Sequence, residues 1–243
     1  GRVLTPGGRR AGDRVGITKH VGLEGPAILL ADQGARLREV LGDAIPDDPG
    51  EVLPGGWMSV VAEALAAAGC DGVSALHDVT EGGVGEGLHE LGVASGLHLR
   101  VDRPGLPVLP VTRRVCEALG LDPLGLIGSG ALLVACRPDG ADAVTAAMDD
   151  AGVALTWIAE AAEGEPGSSL PRFPRDEILR AVRLERLEAV LFDMDGTLVH
   201  SDYDWPAIRR QLDVDGLSII DQLNGLPERE RQRRWADLEL IEE

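Results

Sequence analysis

Short apolar runs with the pattern of β-strands alternate along the chain with segments of helical periodicity. Glycine closes two of the predicted helices, at Gly69 and Gly96, and Asp139 is a suitable N-cap for another. Because an amphipathic helix must bury its apolar stripe, this alternation predicts one layered α/β or α+β domain. The predicted strands are residues 14–18, 72–76, 98–101, 131–136 and 153–159, and the predicted helices are residues 26–41, 57–68, 84–95, 111–119 and 139–151.

Acidic residues outnumber basic ones by 41 to 23, which gives a formal net charge of −18. Such a field repels nucleic-acid phosphates and anionic lipid, so neither nucleic acid nor a membrane is an expected partner. The three cysteines, Cys70, Cys116 and Cys136, form no CxxC pair. An odd number of widely spaced thiols favours a reducing, cytoplasmic location over a disulfide framework or a zinc site.

The composition changes in the last third of the chain. Residues 163–175 are rich in glycine, proline and serine, which is typical of a linker, and a charged helix is predicted over residues 176–186. Because the first residue is glycine, we expect the sequence to begin inside a longer protein. We predict three parts: a domain over residues 1–165, a linker and connecting helix over residues 166–187, and a separate unit over residues 188–243.

A glycine pair follows the second predicted strand and precedes a predicted helix. Gly82 and Gly83 allow a tight turn there, and N–H groups at the N-terminus of a helix attract phosphate or carboxylate. His77, Asp78 and Thr80 stand at the exit of the strand, where ligands of open sheets bind. The imidazole and the hydroxyl can donate to an oxyanion, and the carboxylate can hold a cation or a hydroxyl group. The alternative is that the glycines only cap the helix and that His77 is an ordinary surface residue.

Residues 77–84 resemble the strand-to-helix motif of the AIR synthase-related family, which includes the hydrogenase expression/formation protein, selenophosphate synthetase and thiamine-monophosphate kinase. Three further segments resemble this family in the same order, and the similarity is strongest to the hydrogenase-maturation branch. These segments are residues 12–29, 115–124 and 127–134, so that the resemblance covers about residues 1–165.

This resemblance implies a mixed sheet with helices packed on it, and a cleft shared with an ATP-binding N-terminal half. That half supplies most of the aspartates for magnesium and nucleotide and builds a homodimer, and the given sequence does not contain it. In the family, the C-terminal half contributes loops that close the cleft. The resemblance assigns this phosphate- or nucleotide-binding role to His77, Asp78, Thr80, Gly82 and Gly83, and to a second loop of Gly128, Ser129 and Gly130.

The sequence departs from the hydrogenase-maturation branch in one respect. Those proteins carry a cysteine at the extreme C-terminus that accepts a carbamoyl group. No cysteine follows Cys136 in this sequence. The resemblance therefore leaves ATP-dependent phosphoryl chemistry, rather than thiol chemistry, as the expectation.

A second motif lies in residues 190–199, where an apolar strand ends in two aspartates separated by one residue. At the end of a strand, Asp193 can attack phosphorus and form an aspartyl-phosphate. Asp195 projects to the same side and can protonate the leaving oxygen. A Mg²⁺ ion can bridge the Asp193 carboxylate and the substrate phosphate, with the backbone carbonyl of Asp195 as a further ligand. The alternative is an acidic turn without a catalytic role.

This motif closely resembles motif one of the haloacid-dehalogenase (HAD) superfamily, D-x-D-G-T, which implies a partial Rossmann-like strand. The segments after residue 198 have helical patterns and resemble the start of a helical cap. The later motifs of that superfamily do not follow. We therefore interpret residues 188–243 as the N-terminal fragment of a HAD hydrolase, with Asp193 and Asp195 as catalytic and metal-binding residues.

The two motifs together lead to one functional hypothesis and one alternative. The hypothesis is an ATP-using, hydrogenase-maturation-like protein fused to a Mg²⁺-dependent phosphatase segment. It would act on a small phosphorylated metabolite or in metallocentre maturation. The alternative is a non-catalytic binding or dimerisation module with an incomplete phosphatase tail.

Overall fold

The five strands that the sequence predicts in the first domain, together with one that it does not predict, form a six-stranded sheet. The computed structural model describes residues 4–5, 7–53 and 57–182 of the chain. The strands are β1 (Arg14–Thr18), β2 (Val73–Val79), β3 (His98–Val101), β4 (Ala131–Cys136), β5 (Leu155–Ala162) and β6 (Gly167–Ser168). They lie in the order β2-β4-β1-β5-β3-β6. The pairing of β3 with β6 is parallel and the other pairings are antiparallel, so the sheet is mixed, as the family resemblance implies.

Strand β4 lies inside the sheet and is buried along its whole length. Its side chains alternate between two cores, with Ala131, Leu133 and Ala135 in one and Leu132 and Val134 in the other. Successive side chains of a strand point to opposite faces, so both faces of the sheet are covered. A strand covered on both faces has no need for polar positions, which explains its unbroken apolar sequence.

Helices cover both faces of this sheet. The helices are α1 (Gly25–Leu41), α2 (Val61–Ala68), α3 (Gly83–Ser95), α4 (Pro110–Leu119) and α5 (Ala141–Asp150). Helix α3 packs Leu88 and Leu91 into the core that contains the inward side chains of β1. Helices α2 and α5 close the opposite face, where Val144 and Met148 are buried. Helices α1 and α4 pack on each other.

The second strand is longer than the sequence predicts. Its pairing with β4 continues as far as Val79, which lies opposite Ala131. His77 and Asp78 therefore belong to the strand itself and do not stand at its exit. The apolar pattern stops before these two polar residues, so it does not reveal that the strand continues. A partly exposed edge strand can carry polar side chains that a buried strand cannot.

Two predicted helices begin later than expected. Helix α2 begins at Val61 rather than at residue 57, and the carbonyl of Trp57 accepts a hydrogen bond from the side chain of Lys19. Helix α5 begins at Ala141, so the prediction of Asp139 as its N-cap is wrong. The Asp139 carboxylate instead accepts a hydrogen bond from Arg137 Nε at 3.1 Å.

Residues 167–182, which we call the strap, pack on the domain, although the sequence predicts a linker and the start of a helix there. Strand β6 extends the sheet, and Phe173 is buried in the main core. Arg172 forms an ion pair of 2.6 Å with Glu86 of α3. Beyond it, Glu177–Arg180 make one 3₁₀ turn rather than a longer helix. Glycine and proline content cannot distinguish a flexible linker from an irregular segment that is held by packing.

The chain divides into two units, Gly1–Leu184 and Glu185–Glu243. This division falls within residues 166–187, where the sequence predicts a linker and a connecting helix. The predicted HAD strand, its cap, and the residues Asp193 and Asp195 lie outside the described residues. Among the helices that the structure describes, none combines the length and apolar character needed to cross a membrane.

Candidate functional site

The two glycine loops predicted from the sequence lie side by side. The first loop joins β2 to α3, the second precedes β4, and β2 and β4 are neighbours in the sheet. The backbone N–H of Gly128 donates to the carbonyl of Thr80 at 3.3 Å. The sheet therefore brings residues 80–83 and residues 128–130 to one edge, as a shared role for the two loops requires.

Three N–H groups of these loops already have acceptors within the chain. The N–H of Gly82 donates to Asp176 Oδ2 at 2.8 Å, in buried surroundings. The N–H of Gly83 donates to the carbonyl of Thr80 at 3.1 Å, the same carbonyl that Gly128 uses. A strap carboxylate thus occupies the positive end of α3, where the sequence predicts a phosphate. In this structure, these three N–H groups are not available to a phosphate.

The glycines are nevertheless required at this edge, for reasons of space. Gly82 and Gly83 have φ of 73° and 59°, a region that residues with a side chain rarely adopt. A Cβ on Gly83 would lie 2.5 Å from the carbonyl oxygen of Leu126 and 2.7 Å from that of Leu124. This geometry supports the simpler of the two sequence interpretations, in which the glycines permit a close turn and cap.

The polar side chains predicted at the first loop do not all face it. His77 lies under α3, where its Nε2 is 2.8 Å from Glu90 Oε2. Asp78 is the next residue along the strand, so it points to the other face of the sheet, and it is exposed. Thr80 is also exposed and Ser129 is half-buried. The structure therefore pairs His77 with a residue of α3, whereas Asp78, Thr80 and Ser129 have at least partly exposed side chains.

A buried lysine, which the sequence analysis did not single out, supports the second loop. Lys19 is 8% exposed and adopts a φ of 54°, which is uncommon for a residue other than glycine. Its Nζ donates to the carbonyl of Gly130 at 2.7 Å and lies 2.6 Å from Glu63 Oε1. Two further carbonyls, of Trp57 and Ser59, accept hydrogen bonds from the same ammonium group. Lys19 thus joins β1, α2 and the second glycine loop.

Glu63, the ion-pair partner of Lys19, is also buried. Glu63 is 1% exposed and also accepts a hydrogen bond from Thr18 Oγ1 at 3.3 Å. Thr18 Oγ1 in turn accepts from the N–H of Leu132 at 2.9 Å. A signal was present in the sequence: Glu63 is the one charged residue of the predicted helix over residues 57–68, and a buried acid needs a partner.

A cavity of about 450 Å³ opens beside this ion pair. The ring of His20 stacks on Trp57, with 5.5 Å between the ring centroids and 15° between the planes. Burial lowers the pKa of His20 below its usual value, so the imidazole is neutral at pH 7. Its Nδ1 is buried and makes no hydrogen bond to the residues described. The ammonium group of Lys19 is fully occupied by oxygens, so this cavity presents little positive charge.

Two of the cysteines, Cys116 and Cys136, are not poised as nucleophiles. Burial raises the pKa of Cys116 to about 12 and the pKa of Cys136 to about 11. A thiol with such a pKa is almost entirely protonated at neutral pH, whereas the reactive form is the thiolate. Among the described residues there is also no group of three or more His, Cys, Asp or Glu side chains that could hold a metal ion.

We expect replacement of Asp176 by alanine to loosen the strap from α3. The carboxylate accepts from the N–H of Gly82 and from the N–H of Ile178 at 2.9 Å. Loss of two hydrogen bonds to a buried charged acceptor should lower the free energy of unfolding by about 2–4 kcal/mol. Hydrogen exchange at the Gly82 amide and proteolysis within residues 170–182 would measure the effect. Exposed Asp142→Ala is the matched control, and equal protection in both variants would contradict the contact.

The sheet order and the paired glycine loops define the class of protein as a mixed-sheet α/β domain of the AIR synthase type. The chain belongs to the AIR synthase related protein family, and its residues 10–169 match the C-terminal domain of that family. This match includes both glycine loops, Lys19 and the start of the strap.

Similar curated proteins are hydrogenase-maturation proteins. Carbamoyl dehydratase HypE of Cupriavidus necator is 33% identical over 149 residues, which is 61% of this chain and 39% of that protein. HypE of Escherichia coli K12 is 43% identical over 77 residues, which is 32% of this chain and 23% of that protein. A crystal structure of E. coli HypE aligns with a TM-score of 0.59 and 28% identity, over 74% of this chain and 55% of that one. The chain thus spans less than half the length of these curated relatives.

Proposed function

We propose that the domain of residues 10–182 is the C-terminal domain of a hydrogenase-maturation protein of the HypE kind. In that protein it forms one wall of an ATP cleft that residues outside the given sequence complete. The observation that carries this proposal is the match of residues 10–169 to the family's C-terminal domain, with HypE among the similar proteins. Because the chain spans 39% of the C. necator relative, the catalytic activity is assigned to the longer protein and not to this domain alone.

The described residues fit the wall of a cleft better than a phosphate-binding loop. The N–H groups of Gly82, Gly83 and Gly128 are satisfied internally, so these three donors are not free to hold a phosphate. The groups that remain at this edge are the hydroxyls of Thr80 and Ser129 and the carboxylate of Asp78. Hydroxyls can orient a polar ligand, and a carboxylate can take part in holding Mg²⁺ when other ligands come from elsewhere. We assign no phosphate-binding step to this domain.

A chimera would test this proposal. Residues 10–182 would replace the corresponding domain of E. coli HypE, and nucleotide titration and hydrogenase maturation in cells lacking HypE would be measured. We expect the chimera to bind ATP and to restore maturation, whereas this chain alone binds no ATP. A HypE lacking its C-terminal domain is the control.

A folded chimera that neither binds ATP nor restores maturation would contradict the proposal. If this chain then forms a dimer by sedimentation, the result would favour the alternative of a non-catalytic dimerisation module. The same chimera with Asp78→Ala and Thr80→Val should still fold and bind ATP, but it should lose part of its maturation activity. This variant separates the contribution of the loop from that of the nucleotide half.

We also propose that residues 188–243 begin a Mg²⁺-dependent phosphatase. The observation that favours this second function is the sequence D-M-D-G-T at residues 193–197, directly after an apolar strand pattern. Asp193 would be the nucleophile and Asp195 the general acid. A phosphatase screen on a product extended beyond residue 243 should give activity against a small phosphate ester. Asp193→Asn should abolish it, and activity that survived this change would remove Asp193 from the mechanism.

A further inference from the structure

A second cavity, of about 540 Å³, opens where the strap meets the segments before and after α4. Three leucines form part of its floor, namely Leu106, Leu121 and Leu124, which are 6%, 8% and 4% exposed. Its volume falls within the range of about 300–1,000 Å³ that is usual for small-molecule sites. None of the residues of the two glycine loops lines it. The cavity is therefore separate from the candidate site described above.

Three arginines line this cavity, and we call it the arginine cavity. Arg103 comes from the turn before α4, Arg113 from α4 itself and Arg180 from the strap. The chain as a whole carries a net charge of −18. Three guanidinium groups around one cavity therefore differ in sign from the charge of most of the protein. Because Arg180 belongs to the strap, the docking of the strap is what brings the three groups together.

Two carboxylates accompany the arginines, but backbone N–H groups share their oxygens. Glu177 Oε2 accepts from the N–H of Asp122 at 2.9 Å and also pairs with Arg180. Asp122 Oδ1 accepts from the N–H of Leu124 at 3.0 Å. Its Oδ2 lies 3.5 Å from Arg103 Nη2, at the outer limit of a hydrogen bond. The carboxylates therefore neutralise Arg103 and Arg180 only in part.

Arg113 is the least engaged of the three arginines. Its exposed guanidinium makes no hydrogen bond or ion pair with any residue that the structure describes. A guanidinium carries five N–H donors in a planar fork, which matches the paired oxygens of a carboxylate or a phosphate. The cavity thus combines the unused donors of Arg113 on its wall with the leucines of its floor.

We propose that the arginine cavity binds a small organic anion, with one carboxylate or phosphate group held by the arginines and an apolar body resting on the leucine floor. Both oxyanions share the chemistry that a guanidinium recognises. The net negative charge of the rest of the protein disfavours the approach of anions elsewhere. Anions should therefore bind at this cavity in preference to other parts of the surface. The proposal does not depend on the ATP cleft, because the two sites have no residue in common.

Titration of the full chain, followed by the backbone amide signals of Leu106 and Gly120 in NMR spectra, would test this site. The probes are phenyl phosphate, phenylacetate and, as the uncharged analogue, benzyl alcohol. We expect at least one of the two anions to bind with a Kd of about 1 mM or tighter, and its affinity to fall as salt is added. Tighter binding of phenyl phosphate would identify a phosphate ester as the ligand class, and tighter binding of phenylacetate would identify a carboxylate.

Two arginine variants make the test specific. Arg113→Gln removes a charge that has no described partner, so the fold should be unaffected while the Kd rises about fivefold or more. Arg100→Gln removes the same charge from an exposed residue of β3 that does not line the cavity, and the Kd should change by less than about twofold. The proposal is overturned if neither anion binds, if benzyl alcohol binds equally well, or if both variants weaken binding alike.

Discussion

Replacement of Glu63 by alanine is expected to lower the free energy of unfolding by about 3–5 kcal/mol, because it leaves a buried ammonium group without its counter-charge. The Glu63 carboxylate is 1% exposed and lies 2.6 Å from Lys19 Nζ. The same change removes the acceptor of the Thr18 hydroxyl. Urea unfolding would measure the loss, and hydrogen exchange in α2 and β1 would show where the structure opens.

A matched control and a rescue variant accompany this prediction. Glu39→Ala makes the same chemical change at an exposed position of α1 and should alter the stability by no more than about 0.5 kcal/mol. The double variant Lys19→Met with Glu63→Leu removes both charges and should be more stable than Glu63→Ala alone. If Glu63→Ala proved as mild as Glu39→Ala, the ion pair would not support the second glycine loop.

Alanine at Gly83 is expected to destabilise the domain by about 3 kcal/mol or more, since strain and overlap act together there. The residue has a φ of 59°, and a Cβ would lie 2.5 Å and 2.7 Å from two backbone carbonyl oxygens. Backbone atoms cannot move aside as the end of a flexible side chain can. The turn from β2 into α3 would therefore have to shift, together with the contact between the two glycine loops.

Gly96→Ala separates the two contributions. Gly96 caps the other end of the same helix with a φ of 69°, and a Cβ there would meet no atom within 4 Å. Only the backbone strain remains, so we expect a loss of about 1–2 kcal/mol. Thermal or urea unfolding of both variants provides the comparison. Equal losses would mean that the carbonyls near Gly83 can move away at little cost. Steric overlap would then not be the reason why glycine is required at this position.

The sequence was a sufficient guide to the central elements of the fold. The apolar run of β4 was recognisable because burial on both faces requires consecutive apolar residues. The helical pattern of α3 was recognisable because burial of one stripe repeats apolar residues with the helical period. The glycine loops were also recognisable, since Gly82 and Gly83 have few uses outside a tight turn. Their role was not recognisable, because an acceptor for their N–H groups can be a phosphate or, as in this chain, the carboxylate of Asp176.

Other residues could not be placed from the sequence. His77 and Asp78 are adjacent in the chain but face opposite sides of the sheet, and the orientation of each depended on where β2 ends. Lys19 could not be paired with Glu63 because the contact joins residues far apart in the sequence. The strap was predicted as a linker because its stabilising contacts, such as that of Arg172 with Glu86, are also distant in sequence.

The sequence by itself determined the α/β class, the order of the elements and the family, because local patterns of burial and turn residues encode these properties. The tertiary structure decided which donors are free, which charges are paired and where the domain ends. These depend on contacts between distant segments, and no local pattern specifies the partner of a buried charge such as Lys19. The strap illustrates the difference, since its docking satisfies the positive end of α3 and gathers the three arginines of the second cavity.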